Sequence, residues 1–492
     1  MLQPLNRHAR RAGNPQTAVI GGSSWLSALI GSSLVWLLVA AVPAWGQEQP
    51  LRPNVIVIYA DDLGWGDLGC YGHPTIRTPN LDRMAAEGLK LTSFYSAAEV
   101  CTPSRAALLT GRYPLRSGMC HSQRRVLFTD SPGGIPGSEV TLAEALAAAG
   151  YQTACVGKWH LGHFPQHLPI HHGFETYYGI PYSNDMDRIA DRKLGRQAFF
   201  DPKVEYWNPP LMRGNTIVER PADQHTLTKR YTEEAVTFLN QPHEKPYFLY
   251  FAHNMPHVPL FASDQFAGKS PRGLYGDVIE ELDWSVGQIL ETLRTTGQAE
   301  KTLVVFSSDN GPWLIFDTHG GSAGPFRDGK GGTWEGGMRV PGIFWWPGQI
   351  PAGRLSQEIA CTMDIYATAV ALAGGTVPDD RVVDGVNLWP LLSGAGKSPR
   401  EEMMYYRGTE LFAARKGRYK AHYITQPSYG AGKPVKHDPP ELYDLGVDPG
   451  EKFNIAAQHP EVLRELESAV ERHKVGMVPG ENQLAPSLPF RN

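Results

Sequence analysis

Two apolar runs end in pairs of hard oxygen donors. "VIVIYA", residues 55–60, is followed by Asp61 and Asp62, and "LVVFSS", residues 303–308, by Asp309 and Asn310. Each run has strand length and near-continuous hydrophobicity, the pattern of a strand buried on both faces. If the two strands run parallel, their carboxyl ends share one edge, where three carboxylates and an amide oxygen converge. A donor set without thiolate or imidazole suits a hard divalent cation such as Ca²⁺ or Mg²⁺ rather than zinc. Asp and Asn also cap turns and helices after strands, which explains most single pairs. Two pairs on one edge favour the cation.

"VCTPSRAALLTGRYP", residues 100–114, sets Cys101 at the start of a helix that runs on through Ala106, Ala107 and two leucines to a stop at Gly111. Free N–H groups and the helix dipole favour an anion there, and Arg105 follows one turn later with a permanently charged fork. Two readings of Cys101 stand side by side: an activated nucleophile in an anion site, or a small buried hydrophobe or disulfide partner. "ACVGKWHLGHF" places Lys158 and His160 just past another apolar strand. Two apart on extended chain, they point the same way and could reach one anion, although spacing alone favours a solvated lysine and a surface histidine. "AHNMPHVPL" offers His253 and His257, and "RDGKGGTWEGG" offers Lys330 in a glycine-rich loop without P-loop spacing. His163, His167, His171 and His172 read as loop histidines among prolines rather than as a metal site.

The elements that must position these groups alternate from about residue 54 to about residue 375. Helical periodicity marks "NLDRMAAEG", "EVTLAEALAAAG" and "DVIEELDWSVGQILETLRTTG", and short apolar strands mark "TACVG", "YFLYFAH" and "GIFWWPG". This predicts an α/β fold, a large mostly parallel sheet sandwiched by helices, with ligands bound beyond the strand carboxyl ends. From about Arg400 the pattern becomes "EMMYYRG", "LFAARKGRYKAHYI" and "ELYDL", antiparallel strands, followed by the helical "PEVLRELESAVERHK". A catalytic domain over 50–390 and a smaller C-terminal α+β subdomain on an antiparallel sheet over 391–492 are expected.

"CTPSRAALLTGR" and "GKWHLG" resemble the two signatures of the formylglycine-dependent type I sulfatases, within the alkaline-phosphatase-like superfamily. "YADDLGWGD", "PYSND", "FSSDNGP", "GKGGTWEGG", "GRYKAHY" and "ELYDLGVDPGE" are similar to the arylsulfatase A and N-acetylgalactosamine-6-sulfatase branch. The resemblance implies that a maturation enzyme oxidises Cys101 to formylglycine (3-oxoalanine). It implies that Asp61, Asp62, Asp309 and Asn310 hold Ca²⁺ together with the modified residue 101, and that Arg105 and Lys158 stabilise the anion. His160, Ser183, His257 and Lys330 match the remaining pocket positions; Ser183, Lys158, His257 and Lys330 would touch substrate. In the implied chemistry one hydroxyl of the hydrated aldehyde, its proton drawn toward Asp309, attacks sulfur. His257, aided by Lys330, protonates the departing alcohol, and His160 takes the proton of the second hydroxyl as sulfate leaves. His253 matches no catalytic position. The loop "ITQPSYGAGKPVKHDPP" is short and lacks the cysteines of lysosomal relatives, so no substrate contact or oligomer interface carries over there.

The expected function is a sulfuric ester hydrolase acting on sulfated carbohydrates or aryl sulfates. The alternatives are a phosphate or phosphonate ester hydrolase and a non-catalytic binder of sulfated glycans, the last disfavoured because every matched pocket group is present. A net charge of −4, from 46 basic and 50 acidic residues without a basic stripe, argues against nucleic acid as a partner. Arg7, Arg10 and Arg11 ahead of "WLSALIGSSLVWLLVAAVPAWG" read as a signal peptide over residues 1–47, with an uncleaved anchor as the alternative. The expected location is periplasmic or extracellular, with no stable membrane association once the signal is cleaved. Five cysteines, Cys70, Cys101, Cys120, Cys155 and Cys361, are too few for a disulfide scaffold and show no zinc spacing, and their odd number leaves one thiol to explain.

Overall fold

The computed structural model describes residues 51–189, 195–430 and 432–484; the signal peptide expected over residues 1–47 lies outside them. The strands of the large sheet are, in chain order, β1 (Asn54–Ala60), β2 (Leu89–Tyr95), β3 (Gln152–Gly157), β4 (Thr176–Gly179), β5 (Leu211–Arg213), β6 (Thr216–Glu219), β7 (Tyr247–Ala252), β8 (Thr302–Ser308), β9 (Arg339–Trp345), β10 (Arg354–Ser356) and β11 (Ala360–Cys361). They lie in the order β10-β2-β9-β8-β1-β7-β3-β4-β5-β6, with β11 also pairing with β2. The pairs β2–β9, β8–β9, β4–β5 and β5–β6 are antiparallel and the others parallel, so the expected mostly parallel sheet is present with "GIFWWPG" as a reversed strand within it.

β1 shows why apolar runs without alternation mark the centre. Val55, Val57 and Tyr59 enter one core with Leu108, Leu142 and Val370. Ile56, Ile58 and Ala60 enter the opposite core with Ile279, Leu282 and Val286. Alternate side chains of a strand point to opposite faces, so both faces must be apolar. Helices Pro79–Glu87, Leu227–Asn240 and Leu274–Thr295 cover one face; Cys101–Thr110, Leu142–Ala148 and Met363–Leu372 cover the other. Local chemistry fixes their ends. Thr141 Oγ1 accepts from Glu144 N at 3.1 Å while Glu144 Oε2 accepts from Thr141 N at 2.6 Å, a capping box. Gly111 closes Cys101–Thr110 in the left-handed region, φ 68°.

The C-terminal sheet is a meander of β12 (Glu402–Arg407), β13 (Glu410–Lys416), β14 (Tyr419–Thr425) and β15 (Val435–Asp444), antiparallel throughout. Helix Pro460–Val475 packs Leu463, Leu466, Ala469 and Val470 into a third core with Met403, Tyr405 and Ala413, and Tyr95, Ala107 and Met338 join from the main body. The two sheets therefore share buried apolar surface, at about 25 cal/mol per Å².

Candidate active site

β8, β1, β7 and β3 are consecutive neighbours, and their carboxyl ends deliver the site. Backbone bonds tie those ends together: Asp309 N donates to Ala60 O at 3.1 Å, Asp61 N to Met255 O at 3.1 Å, and Lys158 N to Ala252 O at 2.7 Å. Asp62 leaves β1 at φ 64°, and its N–H donates to Asp309 Oδ1 at 3.1 Å. Asp61, Asp62, Asp309 and Asn310 thus meet as their spacing predicts.

Cys101 is the first residue of its helix and is buried. Burial pushes its thiol above the ordinary range despite Lys158 and Lys330 nearby, so it is no activated thiolate. All five cysteines are unbridged, which removes the disulfide reading as well. Arg105, one turn along, reaches Asp309 Oδ2 with Nε at 3.0 Å and Nη2 at 2.9 Å, and donates through Nη1 to Lys158 O at 3.0 Å.

Lys158 is fully buried, against the expectation of a solvated lysine, because its ammonium pairs with Asp61 and donates to Ser183 Oγ at 3.1 Å. Lys330 Nζ sits 2.7 and 2.8 Å from the two oxygens of Asp62. His257 Nδ1 bonds Val258 O at 2.6 Å, which leaves Nε2 facing Ser183 Oγ at 3.5 Å and Asp62 Oδ2 at 3.7 Å. His160 does not lie on extended chain: its φ of 59° turns the segment, and its Nε2 bonds Leu127 O at 2.9 Å. Its other nitrogen, Nδ1, is buried without a partner.

Three carboxylates and three cations share this space, and their protonation is uneven. Burial opposes ionisation of Asp61, but the charges of Lys158 and Arg105 outweigh it and hold the carboxyl well below the usual range. Burial, then the charge of Asp61, pushes Asp309 up to about 7 in spite of Arg105 and Lys158. Burial raises Asp62 too, against Lys330. Burial also keeps both imidazoles neutral, reinforced by Lys158 at His160 and by Lys330 at His257.

Asp61 Oδ1 and Asn310 Oδ1 are buried without a hydrogen-bond partner. Such an atom costs about 1–3 kcal/mol unless something fills its lone pair. Asn310 Nδ2 donates to Asp62 Oδ1 at 2.7 Å, fixing which way the amide faces. Ligand atoms of Asp61, Asp62, Cys101 and His257 lie within 4.8 Å of one another. Unpartnered oxygens among carboxylates fit a hard divalent cation.

His253 lies in the core, its ring tilted at 55° against Phe251 with centroids 4.3 Å apart. Among the described residues none of His163, His167, His171 and His172 joins a metal-holding group. Sequence reasoning missed Trp313, whose ring centroid is 5.2 Å from that of His257 and 4.1 Å from Lys330 Nζ. It also missed Tyr429, whose ring is 5.7 Å from Trp313. An aromatic three residues after Asn310 is a weak signal for the first; the second has none, because the C-terminal sheet brings it in.

The Lys330 loop is held from behind by that sheet. Lys420 Nζ donates to Thr333 O at 2.9 Å and to Glu335 Oε1 at 2.9 Å, and Glu451 Oε2 accepts from Glu335 N at 2.7 Å.

The chain matches two family profiles, "Sulfatase" over residues 53–375 and "C-terminal region of aryl-sulfatase" over residues 398–490. It is 42% identical over 487 residues to N-acetylgalactosamine-6-sulfatase of Canis lupus familiaris, covering 92% of this chain and 91% of that protein. It is 42% identical over 464 residues to arylsulfatase A of Homo sapiens, covering 87% and 89%. The crystal structure of Ps i-CgsB in complex with k-i-k-neocarrahexaose superposes with TM-score 0.73 at 32% identity, covering 88% of this chain and 95% of that one.

Proposed function

The chain belongs to the sulfatase family of sulfuric ester hydrolases, and from that premise we propose that it removes sulfate from sulfated carbohydrates with residue 101 working as formylglycine. The observation that carries this is the meeting of Cys101, at a helix start, with Asp61 and Asn310 oxygens that have no hydrogen-bond partner and with three buried cations, Arg105, Lys158 and Lys330. Carbohydrate is supported by the name of the canine relative and by the saccharide in the Ps i-CgsB complex. The basic-then-apolar leader supports export to the periplasm or the exterior, and a formylglycine-generating enzyme would act on the Cys101 segment.

Asp61, Asp62, Asp309 and Asn310 would hold a Ca²⁺, which would add positive charge beside the oxygens of the sulfate. Hydrated, the aldehyde supplies one hydroxyl as nucleophile toward sulfur and a second as the means of release, which a serine or thiol lacks. The protein's own groups do the rest. Asp309, fixed by two bonds from Arg105, accepts the proton drawn from the nucleophile. Lys158, Arg105 and Lys330 are in place before the ester arrives, so their charge stabilises the transferring group without reorganisation. His257 Nε2 faces the pocket, and the ester's negative charge beside it favours the protonated ring that delivers a proton to the departing oxygen. His160, with Nε2 engaged on Leu127 O and Nδ1 unpartnered, has a lone pair to take the last proton.

The test is the mass of the tryptic peptide spanning Cys101, together with rates on matched aryl sulfate and aryl phosphate. Protein matured in its native host is expected to show loss of H₂S and gain of oxygen at Cys101, and preference for the sulfate. An unmodified thiol in active protein, or a clear phosphate preference, overturns the assignment.

A further inference from the structure

The groups above account for the sulfate end of the ester and leave the alcohol end unassigned. Beside Lys330 lie two half-buried rings from distant parts of the chain. Trp313 follows the Asp309–Asn310 pair; its ring lies 5.2 Å from His257, and Lys330 Nζ is 4.1 Å from its centroid. Tyr429 comes from the β14–β15 loop, its ring 5.7 Å from Trp313 with planes 34° apart. A Cβ at Gly331 would meet Tyr429 Cε2 at 3.2 Å and an Arg125 nitrogen at 3.1 Å, so both side chains press on the backbone beside Lys330. Gly331 has φ +90°, which a glycine takes without strain.

Tyr429 is held rather than left on a free loop. Ser428 donates through Oγ to Asp328 Oδ1 at 2.6 Å and through N to Oδ2 at 3.2 Å. Arg407 donates to the carbonyls of Pro427 at 2.9 Å and Ser428 at 3.1 Å. Arg125 pairs with Glu99 at 3.0 Å and Lys330 with Asp62, while the Arg407 guanidinium directs its donors to backbone carbonyls. Two half-buried aromatic faces suit a ring of alternating C–H and O–H groups, and among the described residues the cations beside them are engaged by carboxylates or backbone carbonyls and not held out to a substrate carboxylate.

We propose that Trp313 and Tyr429 form the subsite for the sugar that carries the sulfate, and that they select a neutral pyranose over a uronate. This rests on the carbohydrate sulfatase reading. Binding energy from this part of the substrate would appear in KM, because the rings touch no reacting atom.

The experiment uses the matured, Ca²⁺-loaded full-length protein and its Tyr429→Ala and Tyr429→Phe variants. Substrates are galactose 6-sulfate, N-acetylgalactosamine 6-sulfate, glucuronate 2-sulfate and 4-nitrophenyl sulfate, with inorganic sulfate as inhibitor. For Tyr429→Ala, KM for the two hexose sulfates should rise about tenfold or more, while Ki for inorganic sulfate, which needs only the anion cradle, stays within about twofold. Tyr429→Phe, which keeps the ring face, should restore KM to within about twofold of wild type. Wild-type kcat/KM should be lower by about tenfold or more for the uronate sulfate. An unchanged KM in Tyr429→Ala, or KM and Ki rising together, overturns the subsite. Wild type that cleaves 4-nitrophenyl sulfate but neither hexose sulfate also overturns it and leaves the sulfatase assignment standing; wild type that cleaves none of the four overturns both.

Discussion

Two clusters of buried charge lie on either side of the segment 330–339, built from the same residue types in opposite ways. Behind it, Glu335 accepts from Tyr95 at 2.6 Å, Tyr405 at 3.1 Å, Lys420 at 2.9 Å and Arg339 at 3.1 Å. Glu451 takes His422 at 2.7 Å, Lys420 at 3.0 Å and Glu335 N at 2.7 Å. No carboxylate oxygen there is left over, and Lys420, Arg339 and Arg415 hold the Glu335 carboxyl well below the usual range against the burial that would raise it. In front, at Lys330, burial and like charge push Asp309 and Asp62 upward, Asn310 Oδ1 has no hydrogen-bond partner, and Asp61 Oδ1 has none either, with Arg105 Nη2 facing it at 3.6 Å. Burial and ion pairing are common to both clusters. Oxygens without a hydrogen bond and carboxyls pushed upward belong only to the front one, and they mark it as built for something not made of protein.

The comparison breaks most plainly at Cys101. Cys101→Ala should lower kcat/KM by about 10⁶-fold, the scale seen when a covalent catalyst loses its nucleophile, about 8 kcal/mol of barrier. Its unfolding free energy should stay within about 1.5 kcal/mol of wild type, because relative to the aldehyde only one oxygen atom leaves the core. Turnover near the wild-type rate would remove Cys101 from the chemistry.

Lys420→Met tests the rear cluster in the opposite currency. It leaves Glu335 and Glu451 buried with their shared cation gone, and breaking a buried pair from one side costs about 3–5 kcal/mol. Urea unfolding should show that loss. Lys330→Met in the front cluster should lower stability by less than half as much, because Asp62 already holds a raised carboxyl, while abolishing most turnover. Equal destabilisation by the two variants would erase the distinction between the clusters.

How much of this was legible in the sequence follows from chain distance. The meeting of Asp61, Asp62, Asp309 and Asn310 at one edge was readable because an apolar run that stops at two polar residues states both the strand and what it delivers, and β1 and β8 are parallel neighbours. The helix start at Cys101 was readable from propensity and Gly111, yet its thiol could not be assigned until burial removed the thiolate reading. β2, "LKLTSFY", did not stand out, since polar residues interrupt its apolar ones. The turn at His160 was hidden, because spacing assumes extended chain and a positive φ has no side-chain signature there. Glu335, Lys420 and Glu451 lie in "GKGGTWEGG", "GRYKAHY" and "ELYDLGVDPGE", which the resemblance picked out without giving these residues a role, and Tyr429 carried no mark. Their meaning comes from the docking of the C-terminal meander, which local pattern cannot express.

The finest discriminator is the cation itself. Protein stripped with a chelator and titrated with Ca²⁺ should gain stability by mass action, about 2.7 kcal/mol at a hundredfold excess over Kd, read as a concentration-dependent rise in Tm. Asp61→Ala removes one unpartnered oxygen and should lose most of that gain. Lys420→Met starts from lower stability but should keep the full increment, because its cluster has no oxygen to offer. The increment is thus independent of how stable each variant is, which separates a ligand effect from a folding effect. A wild type indifferent to Ca²⁺, or an Asp61→Ala variant that gains as much as wild type, would mean that the bare oxygens of the front cluster are not a cation site. The difference between the two clusters would then reduce to packing.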